Sequence, residues 1–154
     1  MELTLEAGSW WSYVVVFVAA AVPIVEILVV IPAGILAGMP PVPTALAALA
    51  GNLATVALVA VAGDKLFARW RRRRPQKDRA TSRRAQRARD AAHRWGVPGL
   101  ALLAPLTTGT HVATVAALAT GARRPRVLWW MAAGLAVWAS AVTVTTVVGV
   151  DALA

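Results

Sequence analysis

Residues 10–39 read WWSYVVVFVAAAVPIVEILVVIPAGILAGM, an apolar block that is interrupted by Pro23, Glu26 and Pro32. As one straight helix the block would reach about 45 Å, whereas the hydrocarbon core of a bilayer is about 30 Å thick. It must therefore tilt strongly, break or fold back. Pro32 removes a helix hydrogen bond and glycines soon follow it, so we expect the break there. The Pro-Pro-Val-Pro run at residues 40–43 is expected to form a stiff corner after the block.

Three further apolar blocks follow, at residues 44–66, 96–121 and 127–150. Residues 44–63 and the whole of the last block contain no charged residue, and about 20 apolar residues suffice to span a bilayer. Both are therefore predicted to be transmembrane helices. With 58% hydrophobic residues and a mean hydropathy of +0.63, the chain is predicted to be an all-α integral membrane protein.

Positive charge is confined to two places in the chain. Residues 1–64 contain no Lys or Arg, and all but three of the 16 basic residues lie between 65 and 94. The other three are Arg123, Arg124 and Arg126. Because basic loops beside membrane spans stay in the cytoplasm, segment 65–95 is predicted to be cytoplasmic in a multi-pass protein of the cell inner membrane. The same rule keeps the second basic turn inside, so block 96–121 is predicted to be re-entrant.

An inverted repeat follows from this topology. Block 10–39 would enter and leave from the outer side, although one kinked span with an inner N-terminus is the alternative. The chain is then two units of a re-entrant or broken helix plus a transmembrane helix, at 10–66 and 96–150, joined by a basic cytoplasmic helical loop at 67–95. Such repeats, here within a single membrane domain 1–154, are typical of secondary transporters. Because non-helical backbone at membrane depth must be buried in protein, a homo-oligomer is expected.

Glu26 is the one acidic residue that lies inside an apolar block and away from its ends. An ionisable group in such a segment is costly and marks a functional site by default. We expect Glu26 to carry a proton or a cation, although a carboxyl at the outer interface or in a structural hydrogen bond is the other interpretation. Asn52, the one strongly polar side chain of the second block, either lines the same path or bridges two helices.

Polar residues also collect in the third block after Pro105, in the run Thr107-Thr108-Gly109-Thr110-His111. A helix that restarts there would expose N–H groups and the positive end of its dipole, which attract an anionic group. The spacing places Thr107, His111 and Thr114 on one helix face. In the alternative, the threonines only repair the broken backbone and His111 bonds a carbonyl.

These residues define a predicted site. The imidazole of His111, which titrates near neutral pH in water, is the predicted proton partner of Glu26. The predicted substrate path consists of residues at both breaks and in the second block: Pro32, Asn52, Pro105, Thr107, Thr108 and Thr110.

The basic stretch that begins at Arg71, Arg72, Arg73 and Arg74 has a composition typical of nucleic-acid binding when it is taken alone. Beside a transmembrane span, it favours contact with the anionic headgroups of membrane lipids, and we expect no nucleic-acid partner. The sequence has no cysteine, metal-ligand cluster, P-loop or nucleophile triad. It therefore predicts no metal, no cofactor and no enzymatic activity.

Residues 26–38, EILVVIPAGILAG, with Gly51-Asn52 after them, resemble the pattern E-x-x-x-(A/V)-I-P-x-G-x-x-x-G … G-N of the small multi-drug export family. Residues 104–121, APLTTGTHVATVAALATG, are similar to that family's second Pro-x-x-x-Gly-Thr element. The family looks like a compact relative of the DedA membrane proteins. That resemblance implies two facing re-entrant hairpins, a membrane-embedded acid matched here by Glu26, and proton-linked handling of lipid-phosphate carriers. The third block departs from the DedA pattern because it contains no arginine.

Together these features predict a small secondary transporter, proton-coupled through Glu26. It would move an amphipathic small molecule or a lipid-linked carrier across the inner membrane. The alternative is a non-transporting membrane subunit or assembly factor of a larger membrane complex, because Ala- and Gly-rich helices suit close packing against partners.

Overall fold

The computed structural model describes residues 8–23, 25–73 and 83–153, without the side chains of residues 63–73 and 83–94. This part of the chain is helical and contains no strand, as the composition predicts. The helices are α1 (Trp10–Ala21), α2 (Ile27–Leu36), α3 (Pro41–Arg73), α4 (Arg83–Thr107), α5 (Thr110–Ala119) and α6 (Arg124–Leu153).

The chain divides into two compact units. Unit 1 comprises residues 1–55 and 135–154, and unit 2 comprises residues 56–134. The boundaries fall within α3 and within α6, so each long helix contributes one part to each unit.

Among the described residues, two helices are long and apolar enough to cross a membrane, namely the Pro41–Ala62 part of α3 and the whole of α6. These two candidate spans coincide with the two blocks that the sequence predicts to be transmembrane helices. The backbone of α3 stays helical up to Arg73, beyond the predicted end of the second block at residue 66. The cytoplasmic position of the basic segment stays a prediction.

The predicted proline corner at residues 40–43 was wrong, because α3 begins at Pro41. Pro41 and Pro43 lie in its first turn, where N–H groups have no acceptor within the helix and a proline therefore loses no hydrogen bond. The Thr44 N–H donates to the Pro40 carbonyl at 3.2 Å, which starts the hydrogen-bonded ladder.

The first apolar block folds back on itself in unit 1. A Cβ atom built on Gly34 of α2 would lie 3.7 Å from Val16 Cγ2 of α1, so α2 returns alongside α1. The ends of the pair also meet, since a Cβ atom on Gly8 would lie 3.7 Å from Pro40 Cδ. The α1–α2 hairpin therefore has its two ends at one base and its turn at the opposite end.

The break in this block lies between the end of α1 at Ala21 and the start of α2 at Ile27, and the predicted break at Pro32 was wrong. The Val25 N–H donates to the Val22 carbonyl at 3.0 Å and closes a turn with Pro23 in its second position. Proline suits that position because its fixed φ matches the turn. Pro32 lies inside α2, where it removes only one hydrogen bond of the helix.

The glycines after Pro32 belong to the C-terminal end of α2, and they do not break the helix at Pro32. Met39 N–H donates to the Gly34 carbonyl at 3.1 Å, and Gly38 N–H donates to the Ile35 carbonyl at 2.9 Å. With φ of 85° at Gly38, these bonds form a Schellman motif, which ends the helix in a left-handed residue.

The third apolar block forms a second hairpin, in unit 2. Gly96, with φ of 67°, separates the basic part of α4 from its apolar part, which then runs through Pro98 and Pro105 to Thr107. Residues 108–109 form the turn, and α5 packs along α4. A helix restarts at Thr110, within the polar run where the sequence predicts it. The prediction that Thr107 and His111 lie on one helix face was wrong, because Thr107 ends α4 and His111 belongs to α5.

Helix α6 packs closely against α4 one turn before Pro105. Pro105 has no N–H to offer the Ala101 carbonyl one turn earlier. Gly134 of α6 lies against this carbonyl, so near that a Cβ atom there would be 2.7 Å from the Ala101 oxygen. Glycine lets the two backbones approach, and α4 continues to Thr107.

Candidate functional site

The two hairpin turns are the candidate sites, because the chain's unusual polar residues gather there. We call residues 22–26 the first tip and residues 108–109 the second tip. The 12 residues of α1 and 10 residues of α2 correspond to about 18 and 15 Å of helix. Each is about half of a hydrocarbon core of about 30 Å. The first tip therefore lies about half a membrane thickness from the base of its hairpin.

Glu26 begins α2 at the first tip. Its extended backbone, with φ of −90° and ψ of 162°, makes it the N-cap residue, and its carbonyl accepts the Val29 and Val30 N–H groups at 2.9 and 3.2 Å. The side chain makes no capping bond to the helix. The residue is half-buried, and its Oε2 atom is fully shielded from solvent. The start of α2 is therefore not capped by the Glu26 carboxyl.

Helix α3 braces the first tip. The Thr55 hydroxyl donates to the Ala21 carbonyl at 2.8 Å, in the last turn of α1. One turn earlier on both helices, Gly51 lies against the Phe17 carbonyl so closely that a Cβ atom would collide with it. Because both contacts advance in the same direction, α1 and α3 run parallel here. Sequence analysis did not single out Thr55, although its spacing of four from Gly51 follows the small-x-x-x-small pattern of packed membrane helices.

Asn52 lies between these two contact points on α3 and is fully buried, including its Nδ2 atom. It lies three residues before Thr55, which bonds to the last turn of α1, and it belongs to the same unit as Glu26. Pro32 also belongs to unit 1, further along α2 toward the base. The structure thus gathers the predicted residues of the first block and Asn52 into one unit.

The second tip exposes the start of α5 without a capping side chain. Gly109, with φ of 83° and ψ of 140°, is the N-cap residue of the ten-residue helix α5. The first N–H groups of a helix have no acceptor within it. Thr110 and Thr114 are fully buried behind this end, and the Thr114 hydroxyl donates to the Thr110 carbonyl at 2.7 Å.

Two buried side chains flank Gly109 with unused hydrogen-bonding atoms. Thr108 is 3% exposed and His111 is 7% exposed. Neither Thr108 Oγ1 nor either ring nitrogen of His111 has a hydrogen-bond partner among the residues that the structure describes. Buried polar atoms nearly always have partners, and the described residues supply none to these three atoms.

The other predicted residues lie elsewhere. Thr107 is exposed, and its hydroxyl donates to the Leu103 carbonyl of its own helix at 2.8 Å, as in the backbone-repair alternative. Pro105 lies in the last turn of α4. Arg71, Arg72 and Arg73 belong to the end of α3 but their side chains are not described, and Arg74 lies outside the described residues.

A family model described as "Putative small multi-drug export protein" matches residues 26–141. The chain belongs to this family. The match begins at Glu26 and includes Asn52 and the second tip. No curated protein and no solved structure matches the chain.

Membership of the small multi-drug export family, together with the long apolar helices, makes this chain a membrane protein. The family description names export as the activity. The relationship to the DedA membrane proteins stays a prediction, since the match is to the small multi-drug export family alone.

Proposed function

We propose that this protein is a small secondary transporter that exports an amphipathic molecule and couples its movement to protons through Glu26. The position of Glu26 carries the proposal. It is a shielded carboxyl at the turn of an apolar hairpin whose two arms are each about half a membrane thickness long. Broken helices with ionisable groups at mid-membrane are where secondary transporters bind coupling ions.

An amphipathic substrate suits unit 1. An open apolar groove runs between the first half of α3 and the second half of α6. Its walls include Val42, Leu46 and Leu49 of α3 and Thr143 and Val144 of α6. The groove accommodates the apolar part of such a molecule, and Glu26 or another polar group of the protein would bind its head.

The membrane arrangement is part of the proposal. Charge segregation supports an inner-membrane protein with segment 65–95 in the cytoplasm, where its basic residues contact anionic headgroups. The hairpin geometry supports re-entrant entry of both broken blocks. Because a tip at membrane depth has to be surrounded by protein, we propose that the working form is a homo-oligomer.

Gradient-driven flux in proteoliposomes tests the function. Two fluorescent probes are used, namely ethidium as an amphipathic cation and a short-chain labelled phosphatidate as an amphipathic anion. An imposed pH gradient should drive one of them across the membrane faster than in protein-free liposomes. Flux of both probes that ignores the gradient, or that equals the protein-free rate, would contradict the proposal.

Substitutions at Glu26 assign the coupling group. Glu26→Gln should abolish gradient-driven flux while expression and elution of the purified protein stay unchanged, whereas Glu26→Asp should keep part of the flux. Asp151→Asn, which removes an exposed carboxylate near the end of α6, is the matched control and should transport normally. Normal transport by Glu26→Gln would remove Glu26 from the mechanism.

A further inference from the structure

We propose that the second tip binds an oxyanion, a phosphate or carboxylate group, at the N-terminal end of α5. The inference rests on the proposed transport function and adds to it the class of headgroup that the substrate carries. It also gives His111 a role different from the one that the sequence predicts, as a hydrogen-bond donor to substrate instead of a proton partner of Glu26.

The backbone supplies the first part of the site. The first N–H groups of α5 point out of the helix, and the positive end of its dipole lies there, so an anion is favoured. A Ser, Thr, Asp or Asn at the N-cap often accepts a hydrogen bond from these groups, but the N-cap here is Gly109. With φ of 83°, this position favours glycine, which places no side chain over the helix end.

The side chains supply the second, independent part. Thr108 and His111 flank Gly109, are more than nine-tenths buried, and have no hydrogen-bond partner for Oγ1, Nδ1 or Nε2 in the described part of the chain. A hydroxyl can donate one hydrogen bond, and a neutral imidazole donates one N–H in either tautomer. Together with the helix N–H groups, these donors match a ligand rich in acceptors. A cation would meet the wrong end of the helix dipole.

Thr108 differs from its neighbouring threonines, because its hydroxyl does not bond to a carbonyl of its own helix. Thr107, Thr114 and Thr120 each donate to a carbonyl of their own helix, at 2.8, 2.7 and 2.7 Å. This backbone bond is the usual way in which an isolated threonine satisfies itself in an apolar helix. Thr108 is the exception in this hairpin, and it is the one that lies at the tip. Its burial means that a ligand enters only when unit 2 opens, as a transporter site does during its cycle.

Binding measured at equilibrium tests the inference independently of transport. The chain contains two histidines, so a His93→Gln background leaves His111 as the only imidazole signal in ¹⁵N-histidine-labelled protein in detergent. Inorganic phosphate, hexanoate and a short-chain phosphatidate serve as oxyanion probes, and tetramethylammonium serves as the cation control. At least one oxyanion should shift the His111 ring resonances saturably, and the cation should not. A response to phosphatidate alone would assign a lipid headgroup, and a response to phosphate or hexanoate would assign a soluble oxyanion.

Thr108→Val should weaken the binding by about tenfold or more, the usual effect of losing a hydrogen bond to a charged group. Thr120→Val is the matched control at the other end of α5 and should bind as the parent does. Folding of each variant is checked by helix content and elution. The inference is overturned if folded parent protein responds to no oxyanion, if the cation shifts His111 equally, or if Thr108→Val binds as the parent does. Binding without gradient-driven flux would contradict the transport function and leave the oxyanion site standing.

Discussion

At the scale of single residues, two kinds of position matter in this protein. Polar side chains at the tips carry the proposed chemistry, and small side chains elsewhere let backbones approach. Gly51 is the tightest of the small positions in unit 1, since a Cβ atom there would overlap the Phe17 carbonyl. Backbone cannot move aside as the end of a side chain can, so this contact has little tolerance.

Gly51→Ala should therefore lower the stability of the protein by about 1–3 kcal/mol, the usual cost of overpacking a close contact. Thermal unfolding in detergent, followed by tryptophan fluorescence, measures the loss as a lower Tm. Gly149→Ala is the control, because nothing lies within 4 Å of a Cβ atom there. Equal Tm values for the two variants would show that α1 and α3 do not pack as described.

Residue type and spacing predicted Glu26 and the polar run 107–111 because such groups are costly in an apolar segment. They could not predict which threonine matters. Thr107 and Thr108 are chemically identical neighbours, and only the end of α4 at residue 107 makes one exposed and self-bonded while the other is buried at the tip.

At the scale of helices, the sequence predicts that the broken blocks fold back, and both form hairpins, but the predicted break at Pro32 was wrong. Pro32 and Pro105 look like the strongest breakers, yet both lie inside helices. Each removes only one hydrogen bond of its helix. The chain turns instead at Pro23 and at Gly109. At Pro23 the hydrogen bond from the Val25 N–H to the Val22 carbonyl closes the turn, and at Gly109 the positive φ turns the chain.

Thr55 connects two helices, because its hydroxyl donates a hydrogen bond from α3 to the end of α1 beside the first tip. Thr55→Val keeps the shape but removes this bond, so stability should fall by about 0.5–1.5 kcal/mol. Gradient-driven flux should fall as well if the tip has to be held in place. Thr145→Val, an exposed position whose hydroxyl bonds only within α6, is the control for both measurements. A Thr55→Val protein as stable as the Thr145→Val protein would contradict this connection.

At the scale of the whole molecule, charge segregation predicts which side of the membrane each loop faces. The chain has no cysteine, so single cysteines can be introduced without removing any. Cysteines at positions 7 and 42, which precede and follow the first block in the sequence, should react with an impermeant maleimide from the same, outer side. Arg124→Cys should react only from the cytoplasmic side. Labelling of residues 7 and 42 from opposite sides would mean that the first block crosses the membrane, and labelling of residue 124 from outside would exclude a re-entrant third block.

The central claim is that substrate and protons move together through a site that contains Glu26. Proteoliposomes loaded with a pH-sensitive dye, and with the probe that the flux assay identifies, test it most directly at equal starting pH on both sides. Efflux of the probe down its own gradient should change the interior pH in the parent protein, and Glu26→Gln should abolish this change. Probe efflux without any movement of protons, or an unchanged pH signal in Glu26→Gln, would contradict the account.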